Sequence, residues 1–197
     1  MLSFDRFMQG VFDNIDRVHE YKAGCDGTNG KCDCIGLIIG AVRLAGGAWD
    51  GTHGSNYAMR HEITDTIGIT GAGDLSIGDI VFKAYEPGDK NWRLPDTYKN
   101  DIDQRDYYHV GIVTRTNPLE ITHCTSVSGG IKRDNRVGQW KFAGKLRLVD
   151  YNSDGAEPGR DDEHMCNEQW RVKGGTLNLR SKPFTTAQRI TGIPNGT

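Results

Sequence analysis

Two residue types in this chain are spaced to act as a nucleophile and its base. Cys34 follows Asp33, whose side chain suits a helix N-cap, and an apolar run begins immediately after it. A thiol in the first turn of a helix feels the positive end of the helix dipole, which favours the nucleophilic thiolate. Gly36, two residues on, lets a substrate or a neighbouring strand approach the backbone closely. The alternative at Cys34 is a small buried residue with no chemical role, since free cysteine is among the most buried types. His109 opens the segment His-Val-Gly-Ile-Val-Thr directly after a polar stretch. It therefore stands at a strand end beside a loop, where a scaffold fixes a base and leaves it open to substrate. His123 lies beyond the Asn117-Pro118 turn, five residues after it, with His109 eight residues before it. A hairpin through that turn brings the two histidines close to opposite each other on one face. A polar group on the second ring nitrogen of a base fixes its tautomer and orientation, the third role in a triad. The alternative is a pair of half-exposed strand histidines.

The elements that must position these residues follow from the apolar pattern. Leu2, Phe4, Phe7, Met8, Val11, Phe12, Ile15 and Val18 recur as on the buried side of a helix, which predicts a first helix over 2–19. A glycine-rich loop spans 23–31, then Ile35 to Ala45 is an apolar run of helix length closed by Gly46-Gly47. A short helix is expected over 56–65, followed by glycine-rich turns. Strands are expected at 79–82, 109–114, 120–126, 131–134 and 141–149, with a long polar insertion at 86–106. Helices first and strands after predict an α+β domain with N-terminal helices packed on one side of an antiparallel sheet. Residues 152–163 are acidic and rich in breakers, so a linker is expected over 152–169, with a weakly alternating tail over 170–197.

Bulk composition narrows the function classes. The 197 residues suffice for one sizeable core and a small appendage. With 24 basic against 26 acidic side chains, the net charge of −2 gives no electrostatic case for nucleic acid. No stretch approaches the ~20 apolar residues needed to span a bilayer. Met1 to Gly10 has no basic cluster followed by an apolar run, so no signal peptide is expected there, and either export uses another route or the sequence has been trimmed. Cysteines stand at 25, 32, 34, 124 and 166. The Cys-x6-Cys-x-Cys spacing of the first three lacks the gap with which paired thiolates grip zinc, so no metal and no cofactor are expected. A Cys25–Cys32 disulfide is the more plausible chemistry for that cluster. No phosphate-binding glycine pattern is present, and His19, His53, His61 and His164 are expected to be surface or core histidines.

Four segments in order carry a family resemblance. Asp33-Cys34-Ile35-Gly36-Leu37-Ile38 resembles the Asp-Cys-Ser-Gly-Leu-Val signature of the NlpC family of papain-like cell-wall peptidases. Gly78-Asp79-Ile80-Val81-Phe82, His109-Val110-Gly111-Ile112-Val113 and Ile121-Thr122-His123-Cys124-Thr125-Ser126 resemble its later strand segments. The resemblance covers roughly residues 10–150 and implies a papain-like fold over 1–151. It implies Cys34 as nucleophile, His109 as general base and His123 as the orienting residue. It also implies substrate contacts at Tyr21, Asp33 and Ile35. Ile35 departs from the family's usual serine, a change that leaves the backbone N–H donors of an oxyanion site in place. Trp92, Tyr98, Tyr107 and Tyr108 in and after the insertion either wall the substrate groove or pack the insertion onto the domain. Gly175 to Pro183 is similar to the opening of bacterial SH3-like modules, which implies a partial wall-binding segment over 170–197.

The implied activity is cysteine peptidase cleavage of peptidoglycan stem peptides, of the γ-D-glutamyl-diamino-acid endopeptidase type. A cysteine amidase that removes the whole peptide from muramic acid would use similar residues. A wall-binding or tail-assembly protein without turnover is the third class, and the joint presence of Cys34, His109 and His123 weighs against it. The implied partners are peptidoglycan or muropeptides, with no nucleic acid and no membrane span. The implied site of action is extracellular or at the cell wall, with a phage or prophage lysin as one route there. Oligomeric state is open.

Overall fold

The computed structural model describes residues 1–152, 176–180 and 189–194. Two compact units divide the chain, Met1–Gly155 and Ala156–Thr197. In the first, β1 (Leu2–Ser3) leads into α1 (Phe4–Arg17), and β2 (Glu20–Tyr21) and β3 (Lys31–Cys32) flank a loop before α2 (Cys34–Leu44). Ser3 caps α1 by accepting from the Arg6 N–H at 3.4 Å. Phe7, Met8, Val11 and Ile15 form the buried stripe of α1, with Leu2 and Val18 buried at its two ends. The helix is two residues shorter at each end than the pattern predicts: Leu2 and Ser3 pair with β10 (Val149–Asp150), and Val18 is already extended.

α2 is buried from Ile35 through Val42 and lies against α1. Asn14 of α1, itself fully buried, donates to the Asp26 carbonyl at 3.1 Å and the Leu37 carbonyl at 3.0 Å. One amide thus ties α1, the 25–26 loop and α2 together. Asn14→Ala is expected to cost about 2 kcal/mol, because it removes both bonds from a buried site. The checking measurement is thermal denaturation, where that loss lowers Tm by about 4–8 °C in a domain of this size. Gly36 and Gly40 permit close approach, since a Cβ on either would overlap the carbonyl oxygen of Cys25 or Asp26.

Residues 55–68 depart from the expected helix over 56–65. A helical turn at Ser55–Tyr57 continues as a π-type turn at Ala58–Glu62, and β4 (Ile63–Gly68) then pairs with β9 (Phe142–Leu146). β4 is an edge strand with almost no buried side chain, so it carries no apolar alternation to mark it. The remaining strands are β5 (Ile80–Tyr85), β6 (Asp106–Thr116), β7 (Leu119–Thr125) and β8 (Gly130–Asp134). They form one antiparallel sheet ordered β4-β9-β5-β6-β7-β8. β6 begins three residues before His109. The Asp106 carboxylate is buried there and accepts from Asn56 Nδ2 at 2.8 Å and from the Arg93 N–H at 3.0 Å.

The main core packs α1 and α2 against Ile80, Phe82, Val110 and Ile112 of the sheet. A smaller cluster of Val81, Val113, Ile121, Trp140 and Ala143 alternates with it along the same strands, as the two-residue period requires. This is the expected α+β arrangement. In the second unit, β11 (Thr176–Arg180) and β12 (Arg189–Pro194) form an antiparallel pair. The expected linker, apart from Asn152, lies outside the described residues, as does much of the expected SH3-like segment. Among the described residues, no helix is long and apolar enough to cross a membrane.

Candidate active site

Asp33 caps α2 as its position before the apolar run predicts. Its Oδ1 accepts from the Gly36 N–H at 2.8 Å and its Oδ2 from the Gly24 N–H at 2.7 Å. His53 Nε2 lies 2.9 and 2.8 Å from the same two oxygens. Burial works to raise the Asp33 pKa, but these bonds outweigh it and hold the carboxyl below its ordinary value. Asp33 in turn raises the pKa of His53. No spacing in the sequence marks His53. The loop after α2 brings it back onto the cap, and Asp33 is thereby occupied by protein groups on both oxygens.

Cys34 is half-buried at the start of α2. The Val110 and Ile35 N–H groups approach its sulfur and favour its charged form. Val110 is free to do so because the β6–β7 ladder runs out at the Ile112–Thr122 pair, leaving the main chain beyond it without a strand partner on that side. Contrary to the thiolate expected from the helix dipole, the Cys34 pKa is pushed up to about 12. Burial is the main cause and the negative charge of Asp33 the second, and together they outweigh the two N–H groups. Cys34 therefore rests as a thiol. Ile35 contributes only its backbone here, because its side chain is 2% exposed in the core. Tyr21 stands close enough for the negative charge of Asp33 to reinforce burial in raising its phenol pKa.

His109 Nε2 and His123 Nδ1 are 2.7 Å apart, with their rings at 83°. The pairing is diagonal rather than directly opposite. With Ile112 facing Thr122, the register sets His123 beside Gly111. A Cβ on Gly111 would come within 3.2 Å of His123 Cβ and 2.9 Å of the Trp140 ring, so the missing side chain opens the space through which His123 reaches His109. Trp140 stacks on His109 at 5.6 Å and 28° and meets the His123 ring edge-on at 5.2 Å. Burial first, then the positive charges of His123 and Lys83, lower the His109 pKa to about 3. Burial first, then Lys83 and Lys132 against the opposing pull of Asp134, lower His123 to about 4. Both rings are thus neutral at pH 7. The thiol makes no hydrogen bond to His109, and the two are linked through the Val110 main chain that follows the histidine.

The aromatic residues of the insertion divide. Tyr107 is buried and donates to Asp103 Oδ2 at 2.7 Å, and Trp92 donates to the Gln104 carbonyl at 2.8 Å. Tyr98 lies under the Arg60 guanidinium. These three pack the insertion. Tyr108 instead stacks on Tyr85 at 4.1 Å, and the pair lines an open groove of about 500 Å³ with Asp89, Lys90, Gln139 and Lys141. Cys25 and Cys32, for which the spacing left a disulfide open, both carry free thiols. β3 turns Cys32 inward, where Cys124 Sγ donates to its carbonyl at 3.2 Å, while Cys25 stays half-exposed. Among the described residues, no three His, Cys, Asp or Glu side chains group to hold a metal.

No family model matches the sequence, and no curated protein matches it. Solved structures do. NlpC2 from Trichomonas vaginalis superimposes with a TM-score of 0.50 at 14% identity, over 72% of this chain and 46% of that one. NlpC1 from the same organism gives 0.48 at 16%, over 72% and 43%. A Staphylococcus aureus protein described as similar to lipoprotein, NLP/P60 family, gives 0.44 at 16%, over 72% and 42%. The chain spans less than half the length of these structures. The NlpC2 likeness is one of fold, and it places the described sheet and helices in the NlpC-type architecture.

Proposed function

We propose that the chain is a cysteine hydrolase that cuts peptide bonds in the stem peptides of bacterial peptidoglycan, with the γ-D-glutamyl-diamino-acid linkage as its target. The observation that carries this reading is the neutral His109–His123 pair at 2.7 Å, inside β6 and next in the chain to Val110, whose N–H approaches the half-buried Cys34. With Nε2 of His109 bonded to His123, Nδ1 is the nitrogen left for the thiol. His109 removes the Cys34 proton as the sulfur attacks the carbonyl carbon, and N–H groups at the start of α2 receive the developing oxyanion. The protonated His109 then gives its proton to the leaving amine, and water releases the acyl group from the thioester. A thiol pKa pushed up and a His109 pKa pushed down by burial favour this concerted transfer over a resting thiolate–imidazolium pair. Tyr21 is the proposed substrate contact beside the nucleophile, while Asp33, held on both oxygens by protein groups, and the Ile35 backbone shape the site around it. Residues 1–151 form the proposed catalytic domain, and 170–197 a proposed wall-binding segment beyond a 152–169 linker. Action at the cell wall, with a phage or prophage lysin as one route, completes the proposal.

The test is incubation of the full chain with purified peptidoglycan, with soluble products resolved by mass spectrometry. Fragments cut between D-glutamate and the diamino acid support the proposal. Release of the intact stem peptide assigns an amidase instead. Sedimentation with the wall and no product assigns a binding protein.

A further inference from the structure

The histidine pair leaves one polar atom in need of a partner. His123 is 2% exposed, and its Nε2 makes no hydrogen bond of regular geometry. Asp134, the last residue of β8, nevertheless places Oδ2 3.3 Å from that nitrogen. The carboxylate is held there from two other sides. Trp140 Nε1 donates to Oδ2 at 3.2 Å, and Lys132 Nζ lies 3.1 Å from Oδ1. Lys83 Nζ, from β5, stands 3.9 Å from Oδ2 and above the Trp140 ring. His123 itself sits opposite Lys132 in the β7–β8 ladder.

We propose that Asp134 is a positioning residue that sets the tautomers of both histidines and so directs the free lone pair of His109 at Cys34. A neutral imidazole carries one N–H, and an ionised carboxylate only accepts. The single proton of His123 therefore belongs on Nε2, facing Asp134. Its Nδ1 is then an acceptor, and the 2.7 Å contact requires His109 to donate from Nε2. That leaves the His109 lone pair on Nδ1, the nitrogen that must receive the thiol proton. The reverse assignment sets a lone pair of His123 against a carboxylate in a buried site and leaves His109 protonated on Nδ1, where it cannot act as a base. The inference rests on the hydrolase reading for its consequence in turnover, but not for the tautomers themselves.

The experiment uses the full chain with 15N-labelled histidine, as wild type, Asp134→Leu and Asp134→Asn. Ring nitrogen chemical shifts at pH 7 report the tautomers, and kcat and KM on purified muropeptide report the consequence. The wild type is expected to show both rings protonated on Nε2. Asp134→Leu, which removes the acceptor, is expected to add the Nδ1–H form of both rings and to lower kcat on the order of 10²-fold with KM nearly unchanged. Asp134→Asn, which keeps an acceptor oxygen, is expected to recover most of that loss. A wild-type spectrum with Nδ1–H on either ring overturns the assignment, whether or not the leucine variant folds. Unchanged tautomers and an unchanged kcat in Asp134→Leu overturn it as well. Absence of turnover in the wild type rejects the hydrolase reading alone, since the spectra need no substrate.

Discussion

Replacing Cys34 by alanine is expected to reduce release of peptide from peptidoglycan to background, while His109→Ala lowers kcat on the order of 10⁴-fold and His123→Ala on the order of 10²-fold. The ranking follows from what each group does. Without the sulfur no thioester forms. Without His109 the proton of a thiol at about 12 has no acceptor in the site, so the nucleophilic form is scarce at neutral pH. His123 transfers no proton and acts on the orientation of His109 through one 2.7 Å contact, so its loss leaves a base that is present but poorly held. Groups that act as a unit are not additive, and the double His109→Ala/His123→Ala variant should be no slower than His109→Ala. Single-turnover assays on a purified muropeptide, with circular dichroism to show an intact fold, measure the series. Full activity in Cys34→Ala, or equal losses at the two histidines with the fold intact, would sink the assignment of roles.

Acid is expected to destabilise the first unit more steeply than its carboxylates alone require. In the unfolded chain, histidine titrates near ~6.5. In the fold, His109 is held to about 3 and His123 to about 4. Between these values the unfolded chain binds more protons, so stability falls as the pH drops through that window. The two rings together account for a loss on the order of 8 kcal/mol, spread between about pH 6.5 and pH 3. Asp33 and Asp134, both held below their ordinary values, add to the loss in the same direction. His53 acts oppositely. Its raised pKa contributes fully below ~6.5 and is lost as the pH climbs through its folded value. Urea denaturation at a series of pH values measures the slope, and His123→Gln should flatten it. A midpoint that stays level from pH 6.5 to pH 4 would show that the histidines are not held neutral.

The local elements of this chain were legible from neighbours in sequence. The α1 stripe, the Asp33 cap, the apolar run of α2 and the strands around His109 and His123 each follow from residues a few positions apart, because caps and periodic burial are short-range effects. Candidate chemistry at Cys34 and His109 was visible for the same reason. Three features were not. β4 carries no alternation, and only its ladder to β9, some eighty residues away, makes it a strand. His53 looks like any loop histidine until the chain folds it onto Asp33. Asp134 and Trp140 carry no motif, and they matter only because β8 and the turn before β9 close around His123. The ionisation of the site belongs with these. Sequence proximity to a helix start argues for a thiolate, but burial and the neighbouring carboxylate set the thiol near 12 and the histidines at about 3 and about 4. Desolvation is a property of everything packed around a group, and no stretch of sequence contains it.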